Sequence, residues 1–301
     1  MRNQFANTFY EMAKDDKKFI LIAADISPAG PLVSFKNKFP ERIINTGVAE
    51  QIMIGMAAGM ALEGMQVFVY TIATFALYRP FEFIRDDLCY QNLPVTIVGI
   101  GGGVTYSTLG GTHHAMEDIA IASAIPNMTV LSPCDPLEVE EATKWCGLEN
   151  KAGPVYLRLG KSGEPILTEK SLEKFIVGKI RYLKKGSYIC IISYGTVLKK
   201  AYTWSELLEK QGKSVSLISC HTIKPLDTEG IQKALETHQT VYVIEEHVPH
   251  GGLGSRIKEI AWDTQAKCQL KCFSLKDRFI HCYGSHDELL KAHGLSEEFF
   301  I

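Results

Sequence analysis

Glu50 is the first residue whose type and place could do chemistry. It sits in Asn45-Thr46-Gly47-Val48-Ala49-Glu50-Gln51, where a strand-like run gives way to a helical one. Ligands of open parallel sheets gather at the carboxyl ends of strands, so a carboxylate there is well placed to handle a proton. Its plainer reading is a charge that favours the positive start of a helix. Residues 71–85 follow another strand-like run and carry Phe75, Tyr78 and Phe81 three apart, a spacing that by itself describes core packing. Residues 101–114 form a third segment, with five glycines and the pair His113-His114. Glycine lets backbone approach a ligand closely. Adjacent histidines point differently, so at most one of them faces a given site, and the plainer reading of either is a solvated or structural side chain.

Several common chemistries are absent. Gly99-Ile100-Gly101 is followed by Val104 where a dinucleotide fingerprint wants glycine, and no Gly-Lys pair has the upstream glycine of a P-loop. His113, His114, Glu50 and Glu117 do not have metal-ligand spacing. No G-x-S-x-G elbow occurs.

The elements that must position these segments are short, two-sided apolar runs alternating with helical patterns. Candidate strands are 19–23, 42–45, 67–70, 95–99, 128–131 and 155–157; candidate helices are 5–14, 50–63, 77–91, 115–123 and 136–146. Continuous apolar runs fit strands buried on both faces, and the alternation predicts a mostly parallel sheet covered by helices. A polar, lysine-rich stretch then interrupts the pattern, and a second α/β series follows it. The expectation is two parallel-sheet α/β domains, 1–165 and 186–301, with 166–185 as linker.

With 46% hydrophobic and 22% charged residues in a chain of 301, the composition is that of a globular protein large enough for two cores. A net charge of -2 gives no reason to expect nucleic acid or an anionic membrane, and the lysine pairs at 184–185 and 199–200 read as solvated faces. No apolar run approaches the length of a spanning helix, and charges follow Met1 too soon for a secretory signal. The eight cysteines are scattered, without a C-x-x-C pair, which suits reduced core thiols in the cytoplasm.

Taken together and in this order, the three segments resemble the pyrimidine-binding domain of the transketolase family. Ser193-Tyr194-Gly195-Thr196, Ile223-Lys224-Pro225-Leu226-Asp227 and the run 245–252 resemble that family's carboxyl-terminal domain. The resemblance implies thiamine diphosphate as cofactor and Glu50 as its activating glutamate. A carboxyl hydrogen-bonded to the pyrimidine ring nitrogen favours the imino tautomer, whose imino nitrogen can take the proton from the thiazolium carbon. It also implies that Tyr78 stacks on the pyrimidine with Phe75 and Phe81 flanking it, and that His113 contacts the substrate over the reacting carbon. Asp25 falls near the cofactor and the dimer contact, and Arg158 and Arg2 fall near positions that hold a sugar phosphate.

The family holds the diphosphate and its Mg2+ or Ca2+ with a G-D-G sequence in a separate domain, and no G-D-G occurs here. The expectation is therefore a split enzyme. An N-terminal transketolase subunit supplies the diphosphate domain and the metal, this chain self-associates within an α2β2 assembly, and the front domain is absent from this chain rather than degenerate. Leu109, Gly101 and Ala29 depart from the family pattern at positions that contact sugars or phosphate. The reaction expected is transfer of a two-carbon ketol unit between sugars. Two alternatives stay open: the β subunit of a 2-oxo-acid dehydrogenase or a deoxyxylulose-phosphate-synthase-like enzyme, and a non-catalytic regulatory subunit.

Overall fold

A computed structural model describes residues 1–26, 30–161, 163–171 and 173–296, so Ala29 lies outside the described residues. The first half of the chain runs α1 (Arg2–Ala13), β1 (Phe19–Ala23), α2 (Pro31–Lys38), β2 (Ile43–Asn45), α3 (Glu50–Leu62), β3 (Gln66–Ile72), α4 (Ala73–Leu77) and α5 (Phe81–Phe83). It continues through β4 (Thr96–Ile100), α6 (Asp118–Ala124), β5 (Thr129–Leu131), α7 (Pro136–Lys144) and β6 (Val155–Leu159). Every residue of β1, β4 and β6 is buried, which is why these strands read as unbroken apolar runs. Strands β2, β1, β3, β4, β6 and β5 pair in that order, all parallel. Under one face lies an aromatic layer. Phe9 meets Phe35 and Phe68 edge-on at 5.3 Å, and Phe5 stacks on Tyr70 at 5.8 Å.

The second half comprises β7 (Arg181–Lys184), β8 (Ile189–Ser193), α8 (Leu198–Lys210), β9 (Val215–Ser219), β10 (Thr222–Lys224), α9 (Thr228–Thr237), β11 (Thr240–Ile244), α10 (Leu253–Asp263), β12 (Gln269–Phe273) and α11 (His286–Ala292). Its sheet has the order β12-β11-β8-β9-β7.

Two strands qualify the parallel expectation. β7 lies inside the stretch expected to be linker, yet pairs antiparallel with β9. β10 leaves its own half and pairs antiparallel with β5, making a seventh strand of the first sheet. The helix expected over 77–91 is also divided. Pro80, which lacks an N–H, separates α4 from α5, and the chain then widens into a π-helix over Ile84–Tyr90.

The seam between the halves is polar and buried. Asp118, fully buried, accepts from the Tyr156 hydroxyl and from Arg158 Nε, each at 2.8 Å, while Arg158 Nη2 donates to the Glu246 carbonyl at 3.0 Å. Arg158, expected near a sugar phosphate, is engaged here instead. Its side chain is 3% exposed and committed to this ion pair. Burial is the largest influence and works against its charge, but Asp118 together with Tyr194, Glu246 and Tyr156 outweighs it and raises its pKa. The Glu246 carboxylate accepts from Val104 N at 2.6 Å, Thr196 Oγ1 at 2.8 Å and His286 Nε2 at 2.8 Å. Burial alone would raise the Glu246 pKa, but His286 and Arg158 hold it below its ordinary value. His286 is held above its own, because Glu246 outweighs the burial that would lower it.

Breaking a buried pair by deleting one partner strands the other charge. Arg158→Met should therefore cost about 3–5 kcal/mol in urea unfolding, and Arg158→Met/Asp118→Asn less than that. A second expectation concerns pH. A histidine with a raised folded pKa stabilises below its ordinary value near 6.5, and this contribution is lost as pH rises through the folded pKa. The gap in melting temperature between wild type and His286→Asn should accordingly be a few degrees at pH 6 and shrink by pH 9. An equal gap at both pH values would refute the pairing.

Candidate active site

The sheet order brings the chemistry-bearing residues to one edge. β4, β3, β1 and β2 lie side by side and parallel. At their carboxyl ends come the glycine-rich loop, the Phe75–Tyr78 segment, Asp25 and Glu50 respectively. Glu50 opens α3, and its side chain turns inward to 1% exposure. Arg79 Nη1 donates to both of its carboxylate oxygens, at 2.7 and 2.9 Å. The same guanidinium lies 4.4 Å from the centre of the Phe75 ring.

Beside this pair opens a cleft of about 610 Å3, lined among others by Thr74, Phe75, Tyr78, Arg79, His114 and Phe279. Tyr78 is fixed by its hydroxyl, which donates to Glu117 Oε2 at 2.9 Å and accepts from Glu117 N at 3.3 Å. Burial first, then Asp118 and Glu117, push its phenol pKa far up, so it stays neutral. His113 meets Phe75 edge-on at 5.2 Å, and its Nδ1 lies 2.9 Å from Thr112 Oγ1. Burial lowers the pKa of His113 and of His114, so both rings tend to neutrality. His114 lines the cleft, while its Nε2 is buried without a hydrogen-bond partner among the described residues. The wall can therefore hold a flat heteroaromatic ring between aromatic faces, with a buried carboxylate behind Arg79 to meet a ring N–H.

Not every expected residue converges on this cleft. Asp25 sits on the same edge but is exposed, with its backbone in the left-handed region at φ 46° and its N–H donating to Asn45. Phe81 is 36% exposed in α5 and does not line the cleft. Arg2 lies beside Tyr70 and Tyr106. Burial pushes both phenols up, and the Arg2 charge partly offsets it. Leu109 is exposed on the glycine-rich loop.

The sequence reading gives no role to Arg79, Glu117 or Phe279 in this cleft. Arg79 stands beside Tyr78 in the chain, and a cation within reach of a functional carboxylate is a signal that could find it. Phe279 offers none. It arrives from the second half of the chain, 63% exposed, close to where a side chain on Gly111 would stand.

Residues 1–164 match the family "Transketolase, pyrimidine binding domain", and residues 178–298 match "Transketolase, C-terminal domain". The B subunit of apulose-4-phosphate transketolase from Phocaeicola vulgatus is 32% identical over 99% of this chain and 94% of its own length. A protein of Methanocaldococcus jannaschii described as a putative transketolase C-terminal section is 36% identical, over 99% of this chain and 93% of its own. The 1-deoxy-D-xylulose-5-phosphate synthase of Clostridium tetani is 32% identical over 98% of this chain, which spans 47% of that enzyme. Among solved structures, a split gene transketolase described as an inactive beta4 tetramer superposes with a TM-score of 0.85 at 31% identity, covering 98% of this chain and 93% of that one.

Gly101 gives the glycine-rich loop a test. Its φ is 81°, and a Cβ there would come within 2.1 Å of the Tyr106 ring. Gly101→Ala should cost about 1–3 kcal/mol in urea unfolding from strain and overpacking. Gly64→Ala, at φ 82° with open space around it, should show the smaller cost of the backbone alone.

Proposed function

Since the chain belongs to the transketolase family, we propose that it is the pyrimidine-binding subunit of a two-component, thiamine-diphosphate-dependent transferase. The reaction is transfer of a two-carbon ketol unit between sugars, phosphorylated ones by our reading. The observation that carries this reading is Glu50, a buried carboxylate at the carboxyl edge of the sheet, next to a cleft walled by Phe75 and Tyr78. These residues fit the pyrimidine end of the cofactor. For the diphosphate end, the chain carries no G-D-G sequence.

Thiamine diphosphate, when bound, supplies a carbon nucleophile for the ketose carbonyl. Glu50 holds a proton in a hydrogen bond at the pyrimidine ring nitrogen. Phe75 and Tyr78 confine the ring, and the Glu117 hydrogen bonds keep the Tyr78 plane from swinging. His113, tending to neutrality and edge-on to Phe75, donates to or accepts from the substrate. Phe81 and Asp25 support the cofactor from the rim, and Arg2 is the remaining candidate for a sugar phosphate.

The partner subunit supplies the diphosphate domain with its Mg2+ or Ca2+, and two copies of each chain form the α2β2 enzyme. A relative named as one subunit of a transketolase and a split-gene neighbour described as an inactive beta4 tetramer support this division. We place the enzyme in the cytoplasm, in keeping with eight unpaired cysteines; among the described residues no helix is long and apolar enough to cross a membrane. The synthase-like relatives favour a second reading, decarboxylation of a 2-oxo acid, and release of CO2 from pyruvate by the reconstituted pair would establish it.

Mixed with a G-D-G-bearing partner, the chain should bind thiamine diphosphate and turn over ketose, and alone it should not. Glu50→Gln in that complex should lower kcat about a hundredfold or more. Unchanged turnover would remove Glu50 from the mechanism.

A further inference from the structure

Two arginine–carboxylate pairs in this protein are built differently. Arg158 is 3% exposed and spreads its nitrogens over Asp118 and the Glu246 carbonyl. Arg79 is 36% exposed and offers Glu50 one nitrogen, Nη1, which straddles both oxygens. That is not the two-nitrogen fork that makes an arginine–carboxylate pair rigid. Among the described residues no other donor reaches the Glu50 carboxylate. The rest of the Arg79 guanidinium lies over Phe75, in the wall of the cleft. Glu50 is thus shielded from solvent by a side chain that is itself 36% exposed and held at the carboxylate by a single nitrogen.

We propose that Arg79 is the exchangeable counter-ion of Glu50. It occupies the carboxylate while the cleft holds no pyrimidine, and gives up that place to the pyrimidine ring nitrogen when the cofactor enters. Arg79 is a positioning residue in this scheme. A buried carboxylate with no partner is expensive, and Arg79 satisfies it without sealing it. Cofactor loading must break the ion pair, so Arg79 lowers cofactor affinity while it stabilises the unloaded chain. The inference rests on the thiamine-diphosphate reading given above.

The test compares wild type, Arg79→Met, Arg79→Gln and Arg79→Lys in two measurements. The first is thermal melting of the full chain alone. Arg79→Met and Arg79→Gln should melt lower, Arg79→Lys should recover most of the loss, and Glu50→Gln/Arg79→Met should melt above Arg79→Met. The second is calorimetric titration of thiamine diphosphate with Mg2+ into the complex with the G-D-G-bearing partner. There Arg79→Met and Arg79→Gln should bind roughly five-fold tighter, the partly exposed pair being worth little more than that. Opposite signs in the two measurements are the signature, since a merely structural arginine would weaken both. Equal or weaker binding by the variants, with wild type binding normally, overturns the exchange alone. Failure of the wild-type complex to bind the cofactor overturns the functional reading and the exchange with it.

Discussion

The buried pair of Asp118 and Arg158 fixes where the two halves of this protein stand, and the candidate site depends on that placement. Asp118 begins the helix that follows the glycine-rich loop, and Arg158 lies on the strand beside the loop's own strand. Their ion pair draws the loop's far end onto the sheet, and Arg158 then reaches across to the second half through the Glu246 carbonyl. Such a pair adds little net stability over apolar residues of the same shape. Its value is positional: two charges that cannot be left unpaired admit few alternative packings. Glu246 repeats the arrangement one step away, collecting Val104, Thr196 and His286 on a single carboxylate.

From that seam the cleft acquires both of its walls. Phe75 and Tyr78 come from α4 and its carboxyl end, just after β3, whereas Phe279 comes from the segment after β12, beside Gly110 and Gly111. The glycines let that segment approach, since a Cβ on Gly110 would stand 3.2 Å from the Tyr283 ring. The second half thereby contributes an aromatic face to a site whose carboxylate belongs wholly to the first.

Much of this is legible in the residue pattern, and the exceptions share a cause. β1, β4 and β6 are visible because burial on both faces leaves an unbroken apolar signature. Glu50, Tyr78 and His113 draw attention in the sequence because each follows a strand-like run. α2, β7 and β10 are not. The first is a short helix with an ordinary amphipathic face, and the two strands are edge pieces of three or four residues whose partners lie far along the chain. For Arg158 the resemblance to the family points to a sugar phosphate, and sequence does not show Asp118, the carboxylate 40 residues away with which it pairs. Arg79 escapes notice for the same reason: its meaning lies in Glu50, 29 residues earlier.

β10 carries one more consequence. By crossing from the second half to pair with β5, it makes the connecting segment something other than a hinge. Cutting the chain there would leave β5 as a bare sheet edge on one fragment and a loose antiparallel strand on the other, an invitation to mispairing. The two halves are therefore unsuited to separate manufacture, since each closes a gap in the other's hydrogen-bonded surface. If a gene for such an enzyme is to be divided, this stitch forbids the division here.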